Sequence, residues 1–243
     1  MARLIRTGLI WLVIFGLAAA AYVHFRDYVR RHPQDVPWTE LRLTDPVGAF
    51  TLRKLAALSA DTLQCRTLLR EAGAGDVAAP ARLAGPDCGY EGGMRLLPAA
   101  GEPPLAPVGV VTSCPVAAAM DIFEREVLQP AARKHLGSRV VQIDHAGSYS
   151  CRRLYGRAEG PFSEHAHANA IDLVGFRLTD GERVNVLRDW HPAGPKGRFL
   201  REVRDGACRL FATVLSPEYN QAHADHLHLD QAERGQMGFG VCR

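Results

Sequence analysis

Six cysteines, Cys65, Cys88, Cys114, Cys151, Cys208 and Cys242, all lie behind one apolar N-terminal run. An even number of cysteines behind an export signal reads as a disulfide framework in an oxidising compartment. No pair has the CxxC spacing of a cysteine zinc site or a thioredoxin-like motif. Chain proximity predicts the pairs 65–88, 114–151 and 208–242, the last fastening the C-terminal tail to a helix.

The apolar run extends from Gly8 to Val23, behind Arg3 and Arg6. A membrane-spanning helix needs about 20 apolar residues, so this run is near the short limit. Two readings compete: an uncleaved signal-anchor, and a signal peptide cut near Ala19-Ala20-Ala21. The run continues past the alanines through Tyr22 and Val23, which favours the anchor. Arg26, Arg30 and Arg31 on the far side rival Arg3 and Arg6, so charge bias does not set the orientation.

The organisation expected is a signal or anchor segment over 1–25, a proline-containing stalk over 26–45, a disulfide-containing subdomain over 46–110 and a main domain over 111–243. Net charge is +3, with hydrophobic residues at 47 % and charged residues at 23 %, as in an ordinary globular fold. No Lys/Arg run is dense enough to point to nucleic acid. Leucines at helical spacing over 50–72 predict a helix ended by Gly73. Residues Pro115 to His135 predict another, with Pro115 in its first turn. Strands are expected over Val140 to Ile143, Tyr149 to Leu154, Asn169 to Leu178, Arg183 to Leu187 and around Leu227 and Leu229. Phe199 to Leu215 reads as a further helix. The pattern is α+β: a mainly antiparallel sheet with flanking helices, behind a transmembrane or signal helix.

Two short stretches carry the chemistry. Ser163–Asp172 and His223–Asp230 together hold five of the ten histidines. Zinc favours imidazole nitrogen and carboxylate oxygen, and a catalytic site keeps three protein ligands and one open position. A strand puts residues i and i+2 on one face. His226 and His228 therefore project together while Leu227 and Leu229 face the core. Asp230 reads as an edge-strand or capping residue, and Trp190 as lining the cleft or covering the core.

Ser163-x-His165-x6-Asp172 followed by His226-x-His228 resembles the zinc site of the lysostaphin, D-alanyl-D-alanine metallopeptidase and hedgehog superfamily. Ala168 stands where that pattern usually has glycine. From about Pro37 to Cys242 the chain is similar to the bacterial extensin-like C-terminal domain family. The motifs are TSCP (113–116), SYSCR (148–152), SEHAHANAIDLVGF (163–176), Asp189-Trp190 and HADHLHLD (223–230). The resemblance implies His165, Asp172 and His228 as ligands of a Zn2+ ion, which would acidify a water for attack on an amide.

Three residues compete as general base. His226 shares a strand face with His228. Asp225 stands where some relatives place a glutamate, three positions before the last ligand. His223 resembles a histidine found five positions before it. Arg152 resembles an arginine of the carboxypeptidases that stabilises an oxyanion. Ser163 either orients His165 or caps a turn, and His167 is either a supporting residue behind the ligands or a solvated loop histidine.

The function implied is a zinc peptidase or amidase acting on peptidoglycan stem peptides or cross-links. It would be held at the inner membrane by the N-terminal helix, with the domain facing the periplasm, or released there after signal cleavage. The alternative is a non-catalytic zinc-containing module that binds or organises the cell wall.

Overall fold

The computed structural model describes residues 1–191, 193–233 and 240–243. Helix α1 (Ala2–Arg31) is the one described helix long and apolar enough to cross a membrane, and none of its residues is buried. It fits a signal sequence or a membrane anchor. The segment after it does not hang free as a stalk: Val36 and Leu43 are buried, and Leu43 belongs to the hydrophobic core.

The expected leucine-rich helix is α2 (Thr51–Ala57) and α3 (Thr62–Ala72), separated by a 3-10 turn. Asp61 caps α3 by accepting from the Gln64 N–H at 2.9 Å, and Gly73 ends it in the left-handed region. Six two-residue strands follow: β1 (Val77–Ala78), β2 (Arg82–Leu83), β3 (Gly89–Tyr90), β4 (Met94–Arg95), β5 (Leu105–Ala106) and β6 (Val111–Thr112). Strands β1, β4 and β6 make one small sheet, and β2 and β3 another.

The second long helix also divides. It forms α4 (Cys114–Phe123), a π-helical turn over Glu124–Leu128, and α5 (Gln129–Leu136). Pro130 lies in the first turn of α5 and has no N–H to continue an α-helical ladder. The remaining elements are β7 (Val140–Gly147), β8 (Ala170–Leu178), β9 (Arg183–Asn185), α6 (Val186–Asp189), α7 (Pro195–Ala207), β10 (Thr213–Leu215), β11 (Leu227–Asp230) and β12 (Val241–Cys242).

The main sheet runs in the order β12-β10-β11-β8-β7-β5, with β9 also on β8. It is mainly antiparallel, with parallel pairing only of β10 with β12 and β5 with β7. Gly181 turns β8 into β9 with φ +85°. Ile171, Leu173, Leu227 and Leu229 join α4, α5 and α7 in one core. Gly206 of α7 lies so close to the π-helical turn that an added Cβ would meet Val127 Cγ1 at 2.2 Å.

Three expected elements differ. The strand expected over Arg183 to Leu187 ends at Asn185, whose side chain caps α6 by accepting the Arg188 N–H. No strand covers 149–154. The backbone there is tied to the next loop by Ser150 N–H to His165 O and Ser163 N–H to Arg152 O. The helix expected to reach Leu215 stops at Ala207. Beyond it, Thr213–Leu215 is extended because it pairs with strands on both sides, β11 and β12. Two partner strands outweigh a local helical spacing.

The disulfides are Cys65–Cys114, Cys88–Cys151 and Cys208–Cys242. Only the last is the pair that chain proximity predicts. Cys65 meets Cys114 because α3 packs on α4. Cys88 meets Cys151 because the β2–β3 hairpin lies on the 148–153 segment, with Arg82 over the Tyr149 ring at 4.4 Å and Tyr90 against it at 5.7 Å. Both bonds fasten a residue ahead of position 111 to the main domain that follows it. Disulfides fit an extracytoplasmic location.

Candidate metal centre

Strand pairing builds the site. Asp172 on β8 lies opposite His228 on β11. Their neighbours Ile171, Leu173, Leu227 and Leu229 fill the core on the other face. Register shifts in β7 around His145 and Gly147 bring the chain past Asp172 into the loop that begins at Ser148. That loop meets the 3-10 turn Glu164–His167, which presents His165.

His165, Asp172 and His228 are 4 %, 8 % and 7 % exposed. His165 Nε2 is 3.1 Å from His228 Nδ1 and 3.2 Å from Asp172 Oδ2. His228 Nδ1 is 3.0 Å from Asp172 Oδ1. The opposite nitrogens are already engaged. His165 Nδ1 donates to the Ser148 carbonyl at 2.6 Å, and His228 Nε2 donates to Asp230 Oδ2 at 2.9 Å. One lone pair from each ring therefore faces the carboxylate. Tetrahedral zinc with bonds of about 2.0–2.1 Å spaces its ligands at roughly 3.3 Å, close to the separations here. This donor set fits a metal ion, and it is the only such group of His, Cys, Asp or Glu among the described residues.

Burial by itself would raise the Asp172 pKa. Hydrogen bonds from His165 and His228, and the Coulombic influence of His165 and His226, outweigh burial and hold it well below the usual carboxylate range. For His228, burial works against the charged form. The Asp172 and Asp230 carboxylates outweigh it and push the pKa up to about 9. Without metal, His228 is thus protonated at neutral pH and donates a hydrogen bond to the ionised Asp172.

Asp230 is the contributor that the sequence reading missed. It is buried, holds the His228 ring, and also accepts the Ala232 N–H at 3.0 Å. A carboxylate behind a ligating histidine fixes its tautomer and raises its basicity. The signal was present in the sequence as strand parity: residue 230 shares the face of 228.

The other candidates separate clearly. His226 precedes β11 and brings Nε2 to 3.5 Å from Asp172 Oδ1, while its Nδ1 is 2.8 Å from Asp225 Oδ1. Asp225 is exposed and pairs with His226, not with the three converging groups. His223 stacks edge-on near Tyr219, His226 and His228, at ring distances of 5.4, 5.2 and 5.9 Å. Burial, then the Coulombic influence of His226 and His228, lowers its pKa to about 4, so it is neutral at physiological pH. Its Nδ1–H donates to Asn220 Oδ1 at 2.8 Å.

Arg152 is exposed on the same cleft, next to the Cys88–Cys151 bond. The cleft encloses about 840 Å³, with the three converging groups in its floor. Ser163 accepts the His165 backbone N–H at 3.4 Å, as the cap of that turn. His167 is not brought to the site: its ring is exposed and meets the Gly89 carbonyl at 3.4 Å. Trp190 is buried in the core and does not line the cleft. Ala168 is fully buried in the left-handed region with φ +54°, where glycine would be unstrained.

No curated protein and no solved structure matches the chain. The family described as Extensin-like protein C-terminus matches residues 63–243, a span that takes in all six cysteines, both histidine clusters and Arg152, and on that match the chain belongs to the extensin-like C-terminal family.

Proposed function

We propose that this protein is a zinc-dependent peptidase or amidase of the lysostaphin and D-alanyl-D-alanine metallopeptidase type. It would cleave stem peptides or cross-links of peptidoglycan from the periplasmic face of the inner membrane, held there by α1. The observation that carries the reading is the convergence of His165 Nε2, His228 Nδ1 and the Asp172 carboxylate in the floor of an open cleft. His165, Asp172 and His228 would hold the zinc ion, which would supply an acidified water and polarise an amide carbonyl.

The chain's own groups do the rest. His226 Nε2 stands 3.5 Å from Asp172 Oδ1 and would take the proton of the attacking water. Asp225 holds the other ring nitrogen and stabilises the imidazolium that results. The proton then passes to the departing amine. Neutral His223 and Arg152 face the cleft where an oxyanion develops. Asp230 keeps His228 in register.

The test is incubation of the full chain, purified in detergent and loaded with zinc, with muropeptides, followed by mass analysis. The reading predicts shortened or uncross-linked peptides, lost in His226→Ala with zinc retained. Zinc-loaded, folded protein that yields no product contradicts it. Retention on sacculi without cleavage would instead support a binding module.

A further inference from the structure

Trp38 is 70 % exposed, against 1 % for Trp190 in the core. It is not among the residues that line the metal cleft. Its neighbour is the apolar helix: the Trp38 and Phe25 ring centroids lie 6.5 Å apart.

That contact sets the depth of Trp38 along α1. From Thr7 to Phe25 the helix rises about 27 Å, at about 1.5 Å per residue. The hydrocarbon core of a bilayer is about 30 Å thick. With Arg6 at one boundary, Phe25 therefore reaches the other. Helix side chains lean toward the N-terminus, so the Phe25 ring lies on the hydrocarbon side of its own Cα. Arg26, Arg30 and Arg31 follow at the level of the lipid phosphates, and all three are exposed. Tyr22 and Tyr28 flank the same boundary, also exposed, as aromatic residues do at a membrane interface.

The chain must reverse to put Trp38 there. Helix α1 continues about 9 Å beyond Phe25, to Arg31. Pro33 has no N–H to extend it, and the 3-10 turn Pro33–Asp35 carries the chain back. Tyr28 Oη donates to Asp35 Oδ2 at 3.2 Å across that turn.

The reversal is fastened to the domain. Lys54 Nζ of α2 donates to the Pro33 carbonyl and to Thr39 Oγ1, both at 2.8 Å. The Ala49 N–H donates to Asp35 Oδ1 at 2.8 Å, and the Phe50 N–H to the Gln34 carbonyl at 3.0 Å. Val36, two residues before Trp38, is buried. Gly48 packs so close that an added Cβ would lie 2.4 Å from Asp35 Oδ1. Trp38 thus rides on a loop that moves with the domain.

From the Trp38 ring set beside Phe25 at the end of the apolar run, we propose, on the reading of α1 as an uncleaved anchor, that Trp38 is a second membrane contact, which seats the domain on the headgroup interface of the bilayer that α1 crosses. Tryptophan suits that boundary, because its ring is apolar and its indole N–H needs a polar partner. The domain is then held close against the lipid surface, without a stalk.

The test uses the full chain carrying Trp11→Phe, reconstituted in vesicles of phosphatidylcholine and phosphatidylglycerol. Trp190 stays in place, since neither lipid nor iodide reaches the core. Subtracting the spectrum of the same chain with Trp38→Ala added leaves the emission of Trp38 alone. Trp38 is exposed, so both variants should melt alike in detergent; Trp38→Phe serves for the melting comparison and for lipid binding if Trp38→Ala melts lower. The Trp38 emission should be shifted to the blue of tryptophan in water and should resist iodide. It should be largely lost when the acyl chains carry bromine near their carbonyl ends, and less so with bromine near the chain ends. Emission at the water maximum, quenched by iodide and untouched by brominated lipid, overturns the proposal. If the chain then still resists extraction by alkaline carbonate, the anchor reading stands without it. Release of the chain by carbonate overturns both. Neither result bears on muropeptide cleavage.

Discussion

From Cys114 to Asp230 the molecule has strands of up to nine residues, three packed helices and most of one continuous core. Between Val77 and Thr112 it has six strands of two residues each, and few side chains from that stretch reach the core. The first region holds itself together by burial. The second depends on attachment, through Cys88–Cys151, and lies within the loop that Cys65–Cys114 closes. The three converging groups that could hold a metal all come from the self-sufficient region, whereas Arg152 is placed by a cysteine bonded to the attached one. Ligand geometry and cleft geometry thus have different supports, and they should fail separately.

The largest expected effect breaks the attachment. Replacing Cys65 and Cys114 together by Ser should lower stability by about 4 kcal/mol, from the entropy of a loop of 49 residues. Denaturant unfolding of the zinc-loaded protein checks this. A loss below about 1 kcal/mol would mean that the early loops hold by their own contacts.

Next is Asp230→Asn. It removes the carboxylate behind His228 without touching a metal-facing atom, and zinc affinity should drop roughly 10- to 100-fold with the fold intact. Competition with a chelating dye measures it. An unchanged affinity would show that the His228 ring is held by packing alone.

Protons give the third. In the metal-free protein the His228 pKa is raised to about 9 from 6.5. The stability it adds is complete below about pH 6.5 and is lost as pH rises through about 9. Zinc must displace that proton, so apparent zinc affinity should climb roughly tenfold per pH unit up to about 9, then flatten. A flat profile from pH 6 to 9 would contradict the Asp172–His228–Asp230 arrangement.

The smallest effect concerns Ala168. Glycine there should relieve a left-handed backbone and raise stability by up to about 1 kcal/mol, visible as a melting shift of a few degrees. A clear loss would mean that the buried methyl matters more than the backbone.

The metal centre was readable in the sequence because its rules are local. Residues 227 to 230 alternate on a strand, and the spacing from His165 to Asp172 resembles that of a known zinc-site pattern. The disulfide pairs were not readable, since Cys88 reaches Cys151 only after a hairpin folds onto a loop 60 residues away in sequence. The end of α7 was hidden for a similar reason: Thr213–Leu215 is a strand because β11 and β12 flank it. The role of Asp230 lay between these cases. Its parity was visible, but its distance to His228 Nε2 was not.

The proposed zinc site consists of His165, Asp172 and His228. Zinc X-ray absorption on the purified full chain tests that most directly. It should show one equivalent of zinc with nitrogen and oxygen neighbours at about 2.0–2.1 Å, two of them with the scattering of imidazole, and no sulfur. Sulfur in the shell, a single imidazole, or no stoichiometric zinc would contradict it.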